Sequence, residues 1–201
     1  MLERKVRLVE ALFENLDTEI KTFQTGTKLH CITGCGKCCT KPNIDASPLE
    51  FLPWAFQLFL NGQAEIILAK LNTKSTSICH IYQPFSLENI ESGSCSNYKY
   101  RGLICRLFGF GANTDKYGVL RLATCKRIKE EQQTNYTATV TAIADGLSVP
   151  IFTAYYQRLN QIDFHMGNTI LPINQALKRA IEEVLQYYAY RPLPDGFAHA
   201  G

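Results

Sequence analysis

The sequence lacks most of the signals by which a chain of this size is usually assigned. Its longest apolar run, Phe51–Leu60, is interrupted by Pro53 and is roughly half the ~20 residues a membrane span needs. The opening Met1-Leu-Glu-Arg-Lys-Val-Arg is charged, with neither an apolar core nor a small-residue cleavage site, so it does not read as a secretory signal. Net charge is only +3 at a pI near 8.4, short of the dense basic face that phosphate binding requires, and no nucleic-acid partner is evident. There is no glycine-rich phosphate loop, no G-x-S-x-G elbow and no H-E-x-x-H helix, which removes the familiar motif-based enzyme classes. Internal repeats and low-complexity stretches are absent as well. These absences point to a cytoplasmic protein with no membrane span, whose protein or small-molecule partner is unknown.

What is abundant is cysteine: eight in 201 residues. Four stand in the run Cys31-Ile-Thr-Gly-Cys35-Gly-Lys-Cys38-Cys39, spaced C-x3-C-x2-C-C. Gly34 and Gly36 lie between them and relax the limits on φ and ψ, so the backbone can fold back and aim several side chains at one point. That suits a metal knuckle better than a helix or strand. The other four are Cys79, Cys95, Cys105 and Cys125. In a reducing cytosol, grouped cysteines more often hold metal than form disulfides. The competing reading, a disulfide framework in an exported protein, has no signal peptide to support it. All eight are therefore metal-site candidates, and the remaining chain is the scaffold that gathers them.

A four-thiolate site around Zn²⁺ or a [4Fe–4S]²⁺ cluster carries a net charge near −2, which needs donors or positive charge close by. Lys37, Lys41, Arg101, Arg106, Lys126 and Arg127 are placed along the chain to supply it. The adjacent pair Cys38-Cys39 adds a constraint. Neighbouring side chains usually diverge, so either one of the two is not a ligand, or the pair serves two metals or a polynuclear centre. Eight thiols could make two tetrahedral zinc sites, one cluster with spare thiols, or a cluster and a mononuclear ion. His30 and His80 each adjoin a cysteine and could replace a thiolate, whereas His165 and His199 have no such context.

The rest of the chain reads as mainly α: a helical domain with an irregular cysteine region and a small β-hairpin. Leu2, Val6, Val9, Leu12, Phe13, Leu16, Ile20 and Phe23 recur at gaps of three and four and predict a helix over residues 2–23, ended at Gly26. Ser47-Pro48-Leu49-Glu50 has the form of a capping box, and Pro53 then requires a kink or a restart. A helix through Trp54 to Leu60 should end at Asn61-Gly62, with a second short one over residues 63–71. Residues 72–98 are polar and read as a long irregular loop, which is uncommon unless something pins it. Leu103–Phe110 and Val119–Thr124 read as the two strands of a hairpin, with Cys105 on the first and Cys125 at the end of the second. Helices are expected again over residues 126–137, 150–162 and 171–188, and the tail from Arg191 is expected to be loose.

At its cysteines the chain resembles the YkgJ-type cysteine-cluster family, bacterial zinc- or iron-chelating domains with a C-x3-C-x2-C-C knuckle. The family then has an isolated Cys, a segment of the form C-x-I-Y-x-x-R-P-x-x-C-R-x-F-P, and a last Cys. Here those are Cys31, Cys35, Cys38 and Cys39, then Cys79, then Cys95-Ser-Asn-Tyr98-Lys-Tyr-Arg101-Gly102-Leu-Ile-Cys105-Arg106-Leu-Phe108-Gly109, and Cys125. The match runs over residues 31–127. Gly102 and Gly109 replace family prolines, and His80 stands where proline is common, changes that leave every thiol in place. Length and composition imply one domain over residues 1–190, with the motif over 31–127 between flanking helices, and a tail over 191–201. The resemblance implies an iron–sulfur or zinc protein, sometimes an oxidoreductase; a related cluster occurs in flagellin lysine N-methylases. The residues and the resemblance together favour an iron–sulfur centre used in redox or group-transfer chemistry. The rival is a zinc module whose metal is structural and whose helices engage a partner, and a third reading is a metal carrier or sensor.

Overall fold

The first helix sets the frame. In the computed structural model, which describes residues 1–73, 76–86 and 88–194, α1 spans Leu2–Thr27, and all eight apolar positions of its predicted stripe are buried. It runs through Gly26 rather than stopping there. Lys28 closes it in the left-handed region (φ 58°), its N–H bonded to the Gln24 carbonyl, while Thr27 Oγ1 ties back to Phe23 at 2.8 Å. A single glycine in a helix with so continuous a buried face is tolerated at a cost of about 1 kcal/mol.

Eight further α-helices follow among the described residues: α2 (Leu52–Leu60), α3 (Ala64–Thr73), α4 (Leu103–Leu107), α5 (Lys126–Glu131), α6 (Gln133–Ala144), α7 (Phe152–Ile162), α8 (Phe164–Asn168) and α9 (Ile173–Tyr188). The chain does restart at Pro53. A 3-10 turn over Pro48–Phe51 gives way to α2, where Pro53 occupies the first turn and its missing N–H costs nothing. α2 ends at Asn61, with Gly62 at φ +67°, as the sequence predicts.

α1, α2, α7 and α9 enclose the apolar interior, and among the described residues every buried hydrophobic side chain except Tyr82 belongs to one cluster reaching from Leu2 to Tyr188. α9 contributes Ile173, Ala176, Leu177, Ala180, Ile181 and Val184, and its Tyr188 stacks on Phe59 of α2 with ring centroids 4.6 Å apart. Polar ties close the helix pairs around α1. Tyr155 donates to Glu19 at 2.5 Å, and Tyr188 donates to Glu3 at 2.6 Å.

Three two-stranded antiparallel sheets lie on this frame among the described residues. β1 (Asp45–Ala46) pairs with β6 (Leu171–Pro172), so Leu171 belongs to a strand rather than to the last helix. β2 (Tyr82–Pro84) pairs with β3 (Gly93–Cys95), which gives the polar stretch a hairpin that periodicity did not reveal. β4 (Gly111–Thr114) pairs with β5 (Leu120–Ala123). The hairpin expected before Cys125 therefore exists, but its first strand starts at Gly111. Residues 103–107 form α4, and Cys105 is on a helix, not a strand. Two distant contacts decide this. Glu50 Oε2 accepts the Ile104 N–H at 3.1 Å and supplies a cap from outside the segment, and Ala112 donates to the Pro150 carbonyl at 2.8 Å. Positions 74, 75 and 87 of the polar stretch and residues 195–201 of the tail, His199 among them, lie outside the described residues. No helix among the described residues is long and apolar enough to cross a membrane.

Candidate metal centre

The knuckle is built on glycine where side chains would not fit. Gly34 turns the chain at φ +74°, and Cys35 donates to the Ile32 carbonyl at 3.1 Å. Gly36 is buried, and a Cβ on it would lie 2.0 Å from Tyr82 Oη. Gly93 meets the other side of the same ring, where a Cβ would lie 2.4 Å from Tyr82 Oη. Tyr82 thus fills a slot between the knuckle and β3, its hydroxyl donating to the Ile90 carbonyl at 2.6 Å. Gly36 N–H donates to Glu91 at 2.7 Å, Gly93 N–H donates to Gly34 at 3.0 Å, and Cys35 bridges to Ser92. The knuckle is docked as an extra edge on the β2–β3 hairpin, and Lys37 and Glu91 pair above the junction at 3.3 Å.

That hairpin brings in two more thiols. Tyr82 N–H donates to the Cys79 carbonyl at 3.0 Å, and Tyr82 stands opposite Cys95 in the strand register. Cys105 arrives on α4, whose N-terminus is fixed by Glu50. Cys125 precedes α5, accepting the Ile128 N–H at 3.4 Å, and α5 is clamped to the knuckle from its far end. There Gln132 accepts the His30 N–H at 3.0 Å and donates to the His30 carbonyl at 2.7 Å. Arg127 on the same helix donates to Cys35 Sγ at 3.2 Å. All eight cysteines are free thiols; Cys31 is exposed and the others are half-buried.

Their electrostatics record the crowding. The Cys31 thiol is pushed up to about 11 by burial and then by Cys38, Cys35 and Cys125. Cys79 is likewise pushed up to about 11, by burial first and with Cys95 adding to it. Burial also raises Cys105, and Cys79, Glu50, Cys38 and Cys95 raise it further. Cys38 and Cys39 approach to 4.0 Å between sulfurs, so the vicinal thiols converge rather than diverge. The S–H of Cys39 stabilises a thiolate on Cys38, which lowers Cys38 and holds the proton on Cys39. Burial raises Cys95, and the charges of Arg101 and Arg106 oppose that rise.

The sulfurs thus share one region. Among the described residues, however, no three His, Cys, Asp or Glu side chains are arranged as a preformed coordination shell. Of the six basic residues singled out, Arg127, Arg101 and Arg106 act on sulfur, whereas Lys126 is highly exposed and pairs with Glu130. Arg101 and Arg106 are themselves anchored on Asp17 of α1. His30 is exposed and its Nδ1 lies 3.2 Å from the Lys28 carbonyl, while the His80 N–H donates to Asn174 at 2.8 Å.

Three features of the site were not legible from sequence. Glu50 is more than a local cap: it is buried to 1 % exposure, reaches both Ser47 N–H at 2.8 Å and Ile104 N–H, and is raised above its usual range by desolvation. Tyr156 of α7 is raised by burial and then by the charges of Glu50 and Cys105, which places it beside them. Gln132 clamps the knuckle across a separation of 102 residues. No family model matches the chain, nor does any curated protein or solved structure.

Proposed function

We propose that the chain is a metal-binding protein of the cytoplasm whose cysteine cluster holds an iron–sulfur centre for redox or group-transfer chemistry. One observation carries this reading. Free thiols from the knuckle, both arms of the β2–β3 hairpin, α4 and the start of α5 are gathered into one region, with a guanidinium donating to one of the sulfurs. Ionising that many half-buried thiols together has an electrostatic cost in the absence of a bound cation, because each thiolate raises its neighbours. A thiophilic metal offsets the cost by taking the sulfurs as thiolates. The likeness of the cysteine spacing to the YkgJ-type family supports the same conclusion. An iron–sulfur centre would supply one-electron chemistry, tuned by the guanidinium and backbone donors around the sulfurs.

A second reading is favoured by the 4.0 Å approach of Cys38 and Cys39. Two ligands on one tetrahedral zinc at about 2.3 Å stand ~3.8 Å apart. In that case the metal is structural and the helical surface meets a partner. Anaerobic purification followed by iron, acid-labile sulfide and zinc determination, with a visible spectrum, separates the two. Sulfide-containing brown protein supports the cluster, colourless protein with zinc supports the module, and protein free of both overturns the metal reading. Cys35→Ser or Cys105→Ser is expected to bleach a cluster; unchanged iron would remove those residues from the ligand set.

A further inference from the structure

We infer that Cys38 and Cys39 are a redox modification site, closing into a reversible vicinal disulfide when the knuckle meets a peroxide. The inference goes beyond the metal-binding reading and does not depend on it, because two sulfurs suffice for a disulfide. Cys38 Sγ and Cys39 Sγ lie 4.0 Å apart and both thiols are free. Among the described residues, no other two of the eight thiols are in hydrogen-bonding contact. Adjacent side chains do not ordinarily meet: on a strand they point to opposite faces, and on a helix only residues three or four apart are neighbours. The contact needs a backbone of neither kind, and the knuckle supplies one. Residues 37–40 form a turn. Cys39 N–H donates to the Gly36 carbonyl at 2.8 Å, and Thr40 N–H donates to the same carbonyl at 3.2 Å. Lys41 N–H donates to the Cys38 carbonyl at 3.4 Å, and Thr40 Oγ1 donates to the Lys37 carbonyl at 3.1 Å. Gly36, where this turn begins, is wedged against Tyr82, whose hydroxyl is tied to Ile90. The sulfurs therefore converge because the turn is fixed from both ends.

Both residues are half-buried, which admits a molecule as small as hydrogen peroxide and disfavours a bulky disulfide reagent. One sulfur of the pair, as thiolate, attacks the peroxide O–O bond and becomes a sulfenic acid; the hydroxide released takes up that thiol's proton as water. The second sulfur then attacks the sulfenic sulfur, and its own proton leaves with the hydroxyl as a second water. Two electrons pass from the two sulfurs to the peroxide, and one S–S bond replaces two S–H bonds. Neighbouring Cα atoms stand about 3.8 Å apart across a trans peptide, inside the ~4.4–6.8 Å that a relaxed disulfide spans. The ring is thus strained and readily reduced, so a monothiol in excess reopens it. Where the metal-binding reading also holds, closing the ring withdraws two sulfurs from the ligand set.

The test uses the full chain, reduced and stripped of metal with a chelator. It is exposed to one equivalent of hydrogen peroxide, alkylated with iodoacetamide, digested with trypsin without reduction and read by mass spectrometry. Cleavage after Lys37 isolates the pair: the peptide that begins at Cys38 ends by Lys70, before the next cysteine at Cys79. That peptide is expected to lose two hydrogens and to carry no alkyl group, while the other six cysteines are alkylated. Excess reduced glutathione before alkylation should restore both sites. No substitution is involved, so the parent fold is intact throughout. A peptide still alkylated at both positions after peroxide overturns the inference. So does one joined to a second peptide, one halted at the sulfenic acid, or a link that glutathione fails to reopen. The iron and zinc determination scores the metal-binding reading separately, since a chain that holds neither metal still has the vicinal pair, and a chain that holds one is stripped before the peroxide is added.

Discussion

Gly36→Ala tests how the knuckle is seated. The new methyl would lie 2.0 Å from Tyr82 Oη and 2.5 Å from two of its ring carbons, far inside contact distance. A long flexible side chain could swing away, but Tyr82 is 8 % exposed, flat, and anchored by its hydroxyl on Ile90. Relief therefore has two routes. Moving the ring breaks the 2.6 Å bond to the Ile90 carbonyl, and lifting the knuckle breaks Gly36 N–H to Glu91 and Gly93 N–H to Gly34. Overpacking costs about 1–3 kcal/mol, and each hydrogen bond lost adds about 1 kcal/mol. The expected loss is about 2–4 kcal/mol, or roughly 5–15 °C in Tm for a chain of this length. It should appear in urea unfolding of the reduced, metal-free protein. The control is Tyr82→Ala, which is destabilising alone but removes the obstacle. In the double variant the alanine at position 36 should cost little further, giving a coupling of about 2 kcal/mol. Losses that add to within about 0.5 kcal/mol would mean that Gly36 and Tyr82 do not share a slot.

Three more outcomes follow from the buried charges. In the metal-free protein, half-buried Cys79 keeps its proton to about pH 11 against an ordinary value of 9.0, so the folded state holds a proton that the unfolded chain has released. That stability is intact below pH 9 and should be lost between pH 9 and 11, about 2–3 kcal/mol in all; a flat urea midpoint across that range would refute the burial. Glu50→Gln should cost about 1 kcal/mol at pH 4, since one amide oxygen must serve two N–H donors. With the Glu50 carboxyl raised, the parent loses stability as pH rises above 4.5 and the variant does not, so the gap should narrow by pH 8; a constant gap refutes the assignment. Asp17→Asn removes the counter-charge of Arg106, which is 3 % exposed, and should lower stability by about 1–3 kcal/mol in a urea titration.

How much of this could be read from the sequence depended on whether the deciding contact was local. The α1 stripe was read residue for residue because burial of one helix face repeats every three to four positions. The restart at Pro53 and the stop at Asn61-Gly62 are backbone chemistry confined to a few residues. Cys105 was misplaced because Leu103-Ile-Cys-Arg-Leu is too short an apolar run for its period to be decided, and the cap that makes it a helix comes from Glu50. The β2–β3 strands are three residues each, below the length at which alternation can be seen. In the site, the thiols themselves were visible as residue types, but their grouping depends on Gln132, Tyr82 and Arg127. Those residues look ordinary in sequence and matter only through partners far along the chain.

Gly102 and Gly109 are both demanded by this fold, for different reasons. Gly109 stands at φ +108°, outside what proline's ring or any L side chain readily adopts, and its N–H donates to the Ala123 carbonyl at 2.7 Å, a bond proline cannot make. Gly102 has a φ of −63°, which proline would tolerate, yet a Cβ there would lie 2.9 Å from Glu50 Oε2 and 2.9 Å from Phe51. So Gly102 is excluded by packing and Gly109 by backbone. The first keeps the Glu50 carboxylate against the N-terminus of the helix that carries Cys105. The second turns the chain out of that helix toward β4 and, beyond β5, Cys125. In the structure each glycine thus fixes how one distant thiol is delivered.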